Sequence, residues 1–384
     1  MSGRVARAVS TAALAAVFAA SPAVAEPSPP DPAPAPAPAA GPAPQSVAGL
    51  LKQLQTLYRK AEEAGELHNG TEEELRKRTA EAGKLRAELA RARTELDAGR
   101  RDAGRLAREQ YQGRTDFSAY LRLLLAEDPS RALEQGHVIE RALAGRSAVV
   151  DRLTGAEKHA EELAARSRAA QNRQRVLAAQ QRKQRDTVRS RLKGIEAMLA
   201  SLSAEQLAAL AALEEKNTDE AQDALAASGA LSSVRPPSEE GGEAVRYAVE
   251  QIGKPYVWGA EGPESFDCSG LTSQAWSAAG RDIPRTSQEQ WRRLPKVPVG
   301  SLRPGDLVVY FPEATHVALY IGNGLVVHAP RPGATVKVSP LASNPLLGAV
   351  RPDPGGEPLS VYTLPELPDG ATSGADTGYD APGA

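Results

Sequence analysis

Apolar side chains recur at alternating steps of three and four through residues 46–106, and no proline interrupts residues 46–128. The series includes Val47, Leu50, Leu54, Leu57, Leu85, Leu89, Ala92 and Leu96. Such spacing places the apolar residues on one seam of a helix, which a second helix must cover. A helix of about 65 residues would be roughly 100 Å long. This part of the chain is therefore predicted to form a coiled coil, in which His68 is a polar break in the seam.

A second and looser seam lies between residues 129 and 225. Two long helices joined by a short tip most simply fold back as an antiparallel coiled coil, and a parallel dimer of extended rods is the competing arrangement. The tip at 121–125 is the densest apolar patch of this half. It is expected either to pack within the hairpin or to dock another protein.

Composition divides the whole chain into six segments. They are 1–25, a predicted signal peptide; 26–45, a Pro/Ala-rich linker; 46–227, the coiled-coil helical module; 228–242, a second linker; 243–352, a compact domain; and 353–384, a tail expected to be disordered. The first segment combines basic Arg4 and Arg7 with a short apolar run and small residues at Ala23 and Ala25, so the chain is expected to be secreted.

The compact domain holds all three tryptophans of the chain. Helices are predicted near 244–252 and over 268–279 and 284–291, and strands over 306–311, 316–321, 325–328, 335–339 and 348–351. Helices followed by an antiparallel sheet are the order of an α+β fold. The expected architecture is thus an α+β domain preceded by an all-α antiparallel coiled coil.

Cys268 is the only cysteine in 384 residues, so it cannot form an internal disulfide. Its predicted place at a helix N-terminus would stabilise the thiolate. His316 and His328 are placed by the strand prediction at the same end of two neighbouring strands. One imidazole can then act as base while the other fixes its tautomer. One Cys and two His with no CxxC or HxxxH pattern do not support a metal site, and no cofactor is expected.

The charge balance argues against a nucleic-acid partner, because 46 Lys and Arg face 48 Asp and Glu. Six blocks of the compact domain instead carry a family resemblance. They are GKPYVWG at 253–259, FDCSGL at 266–271, PRTSQEQ at 284–290, LRPGDL at 302–307, HVALYIG at 316–322 and VHA at 327–329. In this order they resemble the NlpC family of bacterial cell-wall cysteine peptidases, and with the alanine-rich coiled coil they are similar to secreted actinobacterial hydrolases.

The resemblance implies a papain-like fold and a role for seven residues. Cys268 would be the nucleophile, His316 the base and His328 the third member of the triad. Tyr256 would support the oxyanion, although it could simply pack on the helix. Asp267, Ser269 and Arg285 would contribute to substrate binding, and Arg285 could equally form a structural ion pair.

The function that the resemblance implies is that of a secreted, cell-wall-associated peptidoglycan endopeptidase. It would cleave the stem peptide at the γ-D-glutamyl–diamino acid bond through a thioester acyl-enzyme. An amidase or cross-bridge peptidase of the related CHAP type is one alternative. A scaffold or adaptor of the cell-wall machinery, built on the coiled coil, is another.

The coiled coil is expected either to cover the active site or to dock a membrane-embedded division complex that activates the enzyme. The tip at 121–125 is the predicted docking surface.

Overall fold

The computed structural model describes residues 46–112, 121, 124–125, 129–231 and 235–373. The predicted signal peptide and first linker, residues 122–123 of the tip and the last eleven residues of the tail therefore lie outside the described residues.

The helical module is an antiparallel hairpin of two long helices, α1 (Val47–Tyr111) and α2 (Pro129–Ala200). The two helices lie side by side, with the N-terminal part of each beside the C-terminal part of the other. Arg100 of α1 lies 3.4 Å from Glu157 of α2, whereas the His68 ring lies 3.2 Å from the carbonyl oxygen of Gln181. The buried seam between them is Leu89, Ala92, Leu96, Ala160 and Leu163. The antiparallel coiled coil predicted from the heptad pattern is confirmed.

The second half of the module is two helices, so the prediction of one helix through 225 is wrong. After α2 the chain bends by 112°, and α3 (Ala204–Ala227) begins. Ser203 caps α3: its hydroxyl accepts the N–H of Gln206, while the Gln206 side chain accepts the N–H of Ser203. Leu210 of α3 then packs against Leu54 and Ile195 at the base of the hairpin.

No single helix among the described residues is long and apolar enough to cross a membrane. The bent pair α2 and α3 reaches the required length and apolar composition only when the two helices are taken together.

The compact domain is a six-stranded antiparallel sheet with helices on one face. Its helices are α4 (Glu239–Glu250), α5 (Cys268–Ala278) and α6 (Ser287–Arg293). Its strands are β1 (Lys296–Val297), β2 (Leu307–Tyr310), β3 (His316–Gly322), β4 (Leu325–His328), β5 (Lys337–Pro340) and β6 (Leu346–Val350), in the order β1-β6-β2-β3-β4-β5. Trp276 of α5, Phe266 and Leu319 of β3 are fully buried in the core between helices and sheet. The α+β class is confirmed.

Two predicted boundaries of this domain are corrected by the structure. Helix α4 begins at Glu239, with buried Ser238 as its cap, so the linker predicted at 228–242 ends before Ser238. The tail is ordered through residue 373 rather than disordered from 353. Its Asp353 is buried and lies 2.8 Å from the guanidinium of Arg303, and the Ala371 carbonyl accepts the N–H of Val338 at 2.8 Å. Buried Arg303 needs a carboxylate partner, which composition alone does not reveal.

Candidate active site

Cys268 is the first residue of α5, where the helix meets the start of β3. Asp267 caps the helix, because its carboxylate accepts the N–H of Gly270 at 2.6 Å. The backbone N–H of Val317 donates to the thiol of Cys268. Since Val317 directly follows His316, this hydrogen bond places the cysteine beside the first histidine.

The two histidines are hydrogen-bonded to each other in the domain core. His316 Nε2 lies 2.9 Å from His328 Nδ1, and His328 Nε2 lies 3.0 Å from the hydroxyl of Ser339 on β5. All three side chains are buried. Because His316 uses Nε2 for this bond, Nδ1 is the nitrogen that can exchange a proton with the thiol. Ser339 was not predicted, and its position on β5 beside β4 is the only sequence signal for it.

The three residues predicted to bind substrate form one polar cluster beside the cysteine. Arg285 donates to both carboxylate oxygens of Asp267, at 3.0 and 2.8 Å, and to the hydroxyl of Ser269 at 2.9 Å. It also pairs with Glu261 at 2.7 Å. Burial opposes the charge of Arg285, but the carboxylates of Asp267, Glu66 and Glu261 together outweigh burial and raise the pKa of the guanidinium. The ion pair foreseen as the alternative role of Arg285 is therefore present.

Tyr256 is buried next to the cysteine. Burial raises the pKa of its phenol well above the usual value, and the neighbouring acidic groups Cys268 and Asp267 add to that effect. The hydroxyl therefore stays protonated and can donate a hydrogen bond.

Helix α1 covers the whole cluster, and its residue Glu66 enters the site. Glu66 Oε1 accepts a hydrogen bond from the Ser269 hydroxyl at 2.7 Å and lies 3.8 Å from Cys268 Sγ. Its other oxygen, Oε2, accepts the backbone N–H of Ser287 at 2.7 Å. Only 4% of Glu66 is exposed, although a glutamate is normally a surface residue.

Two further residues of α1 reach the site from the same helix face. Glu62 Oε1 lies 3.6 Å from His316 Nδ1, and the Asn69 amide donates to Asp267 at 2.9 Å. Together with Glu66, these residues are spaced by four and three, which puts them on one side of α1. The three residues are called the α1 plug below.

The plug is held by a close packing of α1 against Trp258. The rings of His68 and Trp258 are 4.5 Å apart between centroids. A Cβ atom on Gly65 would collide with the Trp258 indole, so only glycine fits there. His68 is thus a buried contact with the compact domain as well as the predicted break in the seam.

Helix α3 holds the compact domain from the other side. Glu214 pairs with Arg331 at 3.0 Å, and the Arg331 guanidinium lies 4.6 Å from the centre of the Tyr58 ring. The Gln222 side chain donates to the Gly324 carbonyl and accepts the N–H of Ala342, both at 3.0 Å. The hairpin and the domain are therefore joined on both flanks of the site.

Burial and negatively charged neighbours make the covered site unfavourable for a thiolate. Burial raises the pKa of Cys268 well above its usual value, and the carboxylates of Glu66, Asp267 and Glu62 raise it further. The thiolate expected at the helix N-terminus is therefore not formed in this arrangement, so that expectation is wrong here. Burial also raises the pKa of Glu62 to about 8 and that of Glu66 to about 7.

Metal-binding geometry is not found in the parts of the chain that the structure describes, where no three His, Cys, Asp or Glu side chains cluster suitably. The absence of a cofactor stays a prediction.

The fold and the Cys–His–His arrangement are those of a papain-like cysteine peptidase, and comparison with known proteins agrees. The model of the NlpC/P60 family matches residues 253–348. A "probable endopeptidase" of Corynebacterium glutamicum is 41% identical over 159 residues, which cover 41% of this chain and 70% of that protein. The chain belongs to the NlpC/P60 family.

Other similar proteins share mainly the compact domain. The peptidoglycan endopeptidase RipA of Mycolicibacterium smegmatis is 38% identical over 126 residues, 28% of this chain and 25% of that protein. The crystal structure of the NlpC/p60 domain of the peptidoglycan hydrolase SagA is 37% identical, covers 29% of this chain and 97% of its own, and has a TM-score of 0.27. This chain also spans only 56% of the length of a second Corynebacterium glutamicum relative and 31% of that of a Mycobacterium bovis relative.

Proposed function

We propose that this chain is a secreted peptidoglycan endopeptidase that hydrolyses the bond between the γ-carboxyl group of D-glutamate and the diamino acid of the stem peptide. The observation that carries the proposal is the thiol of Cys268 beside His316, whose ring His328 fixes by a 2.9 Å hydrogen bond. Relatives named endopeptidases support the substrate class.

The reaction follows from the positions of these groups. His316 Nδ1 takes the proton of the Cys268 thiol, and Sγ attacks the scissile carbonyl carbon. The Tyr256 hydroxyl and the backbone N–H of Cys268 would stabilise the oxyanion. His316 then gives its proton to the departing amine. Water hydrolyses the thioester, which restores the thiol and releases a new carboxylate.

The enzyme would be inactive as folded, because the α1 plug occupies the place that a substrate needs. Glu66 lies against the thiol and Glu62 against the base. Activation therefore requires α1 to leave the compact domain. The variant Gly65→Leu should release it, since leucine cannot fit against Trp258; this variant is called the opened chain below.

The test is digestion of soluble muropeptides by the opened chain, by the opened chain with Cys268→Ala, and by the unmodified chain. Mass spectrometry identifies the bond. Cysteine-dependent release of muropeptides that end in L-Ala-D-Glu supports the proposal. Cleavage at the sugar–peptide junction or in a cross-bridge would favour the CHAP-type alternative, and an opened chain without cleavage would favour a scaffold.

Export and activation complete the proposal. Residues 1–25 support secretion to the cell wall. A membrane-embedded division complex is the proposed activator, docking at the tip, where the described Leu121, Leu124 and Leu125 are exposed. Loss of cell-wall activity after Leu124→Asp and Leu125→Asp, with activity on soluble muropeptides retained in the opened chain, would support this docking site. Unchanged cell-wall activity would oppose it.

A further inference from the structure

Helix α2 carries an unbalanced positive charge over residues 166–193. This stretch has ten Lys and Arg side chains and a single acidic one, Asp186. The part of α1 that lies beside it, residues 59–88, has seven Lys and Arg and eight Glu. Contacts such as that of Gln174 with Thr79, at 3.0 Å, hold the two stretches side by side. The near-zero net charge of the whole chain therefore conceals a strongly basic segment of one helix.

The arginines of this segment follow the heptad repeat. Arg168, Arg175, Arg182 and Arg189 are seven residues apart, which sets them about 10 Å apart in a row along α2. All four are exposed, whereas Val188, which precedes the last of them, is buried. With two exposed lysines they form a row about 37 Å long. This row is called the basic stripe below and consists of Arg168, Arg175, Arg182, Lys183, Arg189 and Lys193.

The charges of the basic stripe are not matched by carboxylates of the protein. The one ion pair that any side chain of residues 166–193 forms within the described chain joins Arg185 to Asp186, and neither belongs to the stripe. On α1, in contrast, Arg78 alone contacts two glutamates, at 2.7 and 2.9 Å. Like charges four residues apart, such as Arg189 and Lys193, destabilise a helix. An external polyanion would remove that repulsion.

We infer that the basic stripe binds a linear anionic polymer joined by phosphodiesters and thereby holds the enzyme on the cell wall. The inference goes beyond the proposed hydrolysis and uses the proposed export only for the place where the polymer is met. The planar arginine fork binds two phosphate oxygens at once. A straight row of such forks suits a chain of repeated phosphates, and binding releases the counterions condensed on that chain.

Two other polyanions fit the stripe less well. A helix that binds a lipid surface carries large apolar side chains beside its basic ones. Val176 is the one large apolar side chain exposed in residues 166–193, a stretch that the structure describes in full. Proteins that bind single-stranded nucleic acid add aromatic side chains on which the bases stack, and residues 166–193 contain no aromatic residue. The stripe therefore offers contacts to backbone phosphates alone.

The test measures the affinity of the full chain for poly(glycerol phosphate) by calorimetry, at about 50 mM and about 200 mM salt. The stripe variant replaces the four arginines in heptad register by glutamine. The matched control replaces four exposed arginines of α1, where residues 88–109 contain six arginines and five acidic residues. Both variants lose the same charge, and circular dichroism checks that both stay helical. The control substitutions are Arg91→Gln, Arg93→Gln, Arg101→Gln and Arg108→Gln.

The inference predicts that the unmodified chain binds the polymer and that its affinity falls steeply with salt. The stripe variant should bind at least about tenfold more weakly, with a shallower salt dependence, and the control should stay within about twofold. Replacing the same four stripe arginines by lysine should retain most of the affinity, because the charges remain. Equal losses in the stripe variant and the control would overturn the inference, since net charge alone would then explain the binding.

Two comparisons separate the other polyanions. Tighter binding of the unmodified chain to a 20-nucleotide single-stranded DNA, or to phosphatidylglycerol vesicles, than to poly(glycerol phosphate) would overturn the inference. So would the absence of any binding to the polymer.

The outcome is independent of the proposed hydrolysis. The stripe substitutions, made in the opened chain, should leave the cleavage of soluble muropeptides unchanged, because the stripe lies outside the catalytic site. Failure to bind the polymer, with muropeptide cleavage intact, would therefore remove this inference and leave the proposed function standing. Binding without cleavage would do the reverse.

Discussion

At the scale of single residues, the cysteine is controlled by the carboxylates that surround it. Cys268 has three of them nearby, and two come from α1. Burial and these charges keep the thiol protonated, whereas a catalytic thiol needs a proton acceptor and no competing anion. The same residue can therefore be inert or reactive according to where α1 lies.

Glu66→Ala should raise the rate at which iodoacetamide modifies Cys268 by about tenfold or more. The variant removes a carboxylate beside the thiol and leaves the Ser269 and Ser287 donors unsatisfied, so that α1 docks less well. Mass spectrometry of the intact chain measures the rate. Glu63→Ala is the matched control, since Glu63 is exposed on the same helix turn. Equal rates for the two variants would contradict this view of Glu66.

His328→Ala, made in the opened chain, should lower kcat about 10²-fold and change KM little. The reason is that His316 loses the partner that fixes its ring at 2.9 Å. Muropeptide kinetics across a range of pH give both constants and the pKa of the base. Ser339→Ala, which removes only the hydrogen bond between the Ser339 hydroxyl and His328 Nε2, should lower kcat less than His328→Ala does. A His328→Ala variant with unchanged kcat would show that His316 needs no partner.

At the scale of elements, the docking of α1 should depend on pH. Docking raises the pKa of Glu62 to about 8 and of Glu66 to about 7, from an ordinary value of 4.5. Burial dominates both shifts. The charge of Arg331 opposes the rise in the pKa of Glu62, which also lies beside His316. For Glu66, Asp267 adds to the rise in pKa, whereas the Ser269 hydroxyl and the charge of Arg285 oppose it. The docked form thus holds more protons than the released form between pH 4.5 and 8.

Docking should therefore weaken as pH rises from 5 to 8, by up to about tenfold per pH unit for each carboxyl. Below pH 4.5 both forms are protonated and nothing further is gained. Small-angle X-ray scattering at pH 5, 6.5 and 8 should show the radius of gyration increasing. In the double variant Glu62→Gln and Glu66→Gln the dependence should flatten. A radius that falls with pH in the unmodified chain would contradict the prediction.

The elements themselves were largely predictable, because the seam and strand patterns depend on local sequence. The break before α3 was missed because neither proline nor glycine marks it, although Ser203 and Gln206 form a capping-box pattern that carried the signal. The tail was misjudged for a different reason. Its order depends on individual long-range contacts, such as that of Asp353 with Arg303. Amino-acid composition carries no information about such contacts.

At the scale of the whole molecule, the coiled coil and the compact domain pack together as one unit. The contacts that join them link residues about two hundred positions apart, such as Glu66 with Ser269 and Asn69 with Asp267. In the sequence Glu62 and Glu66 are two more charges on a charged helix. Cys268, His316 and His328 could be singled out as candidates because family motifs surround them. The plug could not be predicted, since no local pattern distinguishes a buried glutamate from a solvated one.

The most direct test of this arrangement compares the rate of muropeptide cleavage by the unmodified chain and by the opened chain, Gly65→Leu, at equal concentration. If α1 keeps a competent cysteine peptidase inactive, the opened chain should be at least about tenfold faster, and Cys268→Ala should abolish the activity of both. Equal rates, with both chains active, would contradict the account, because the α1 plug would then be no barrier to the substrate.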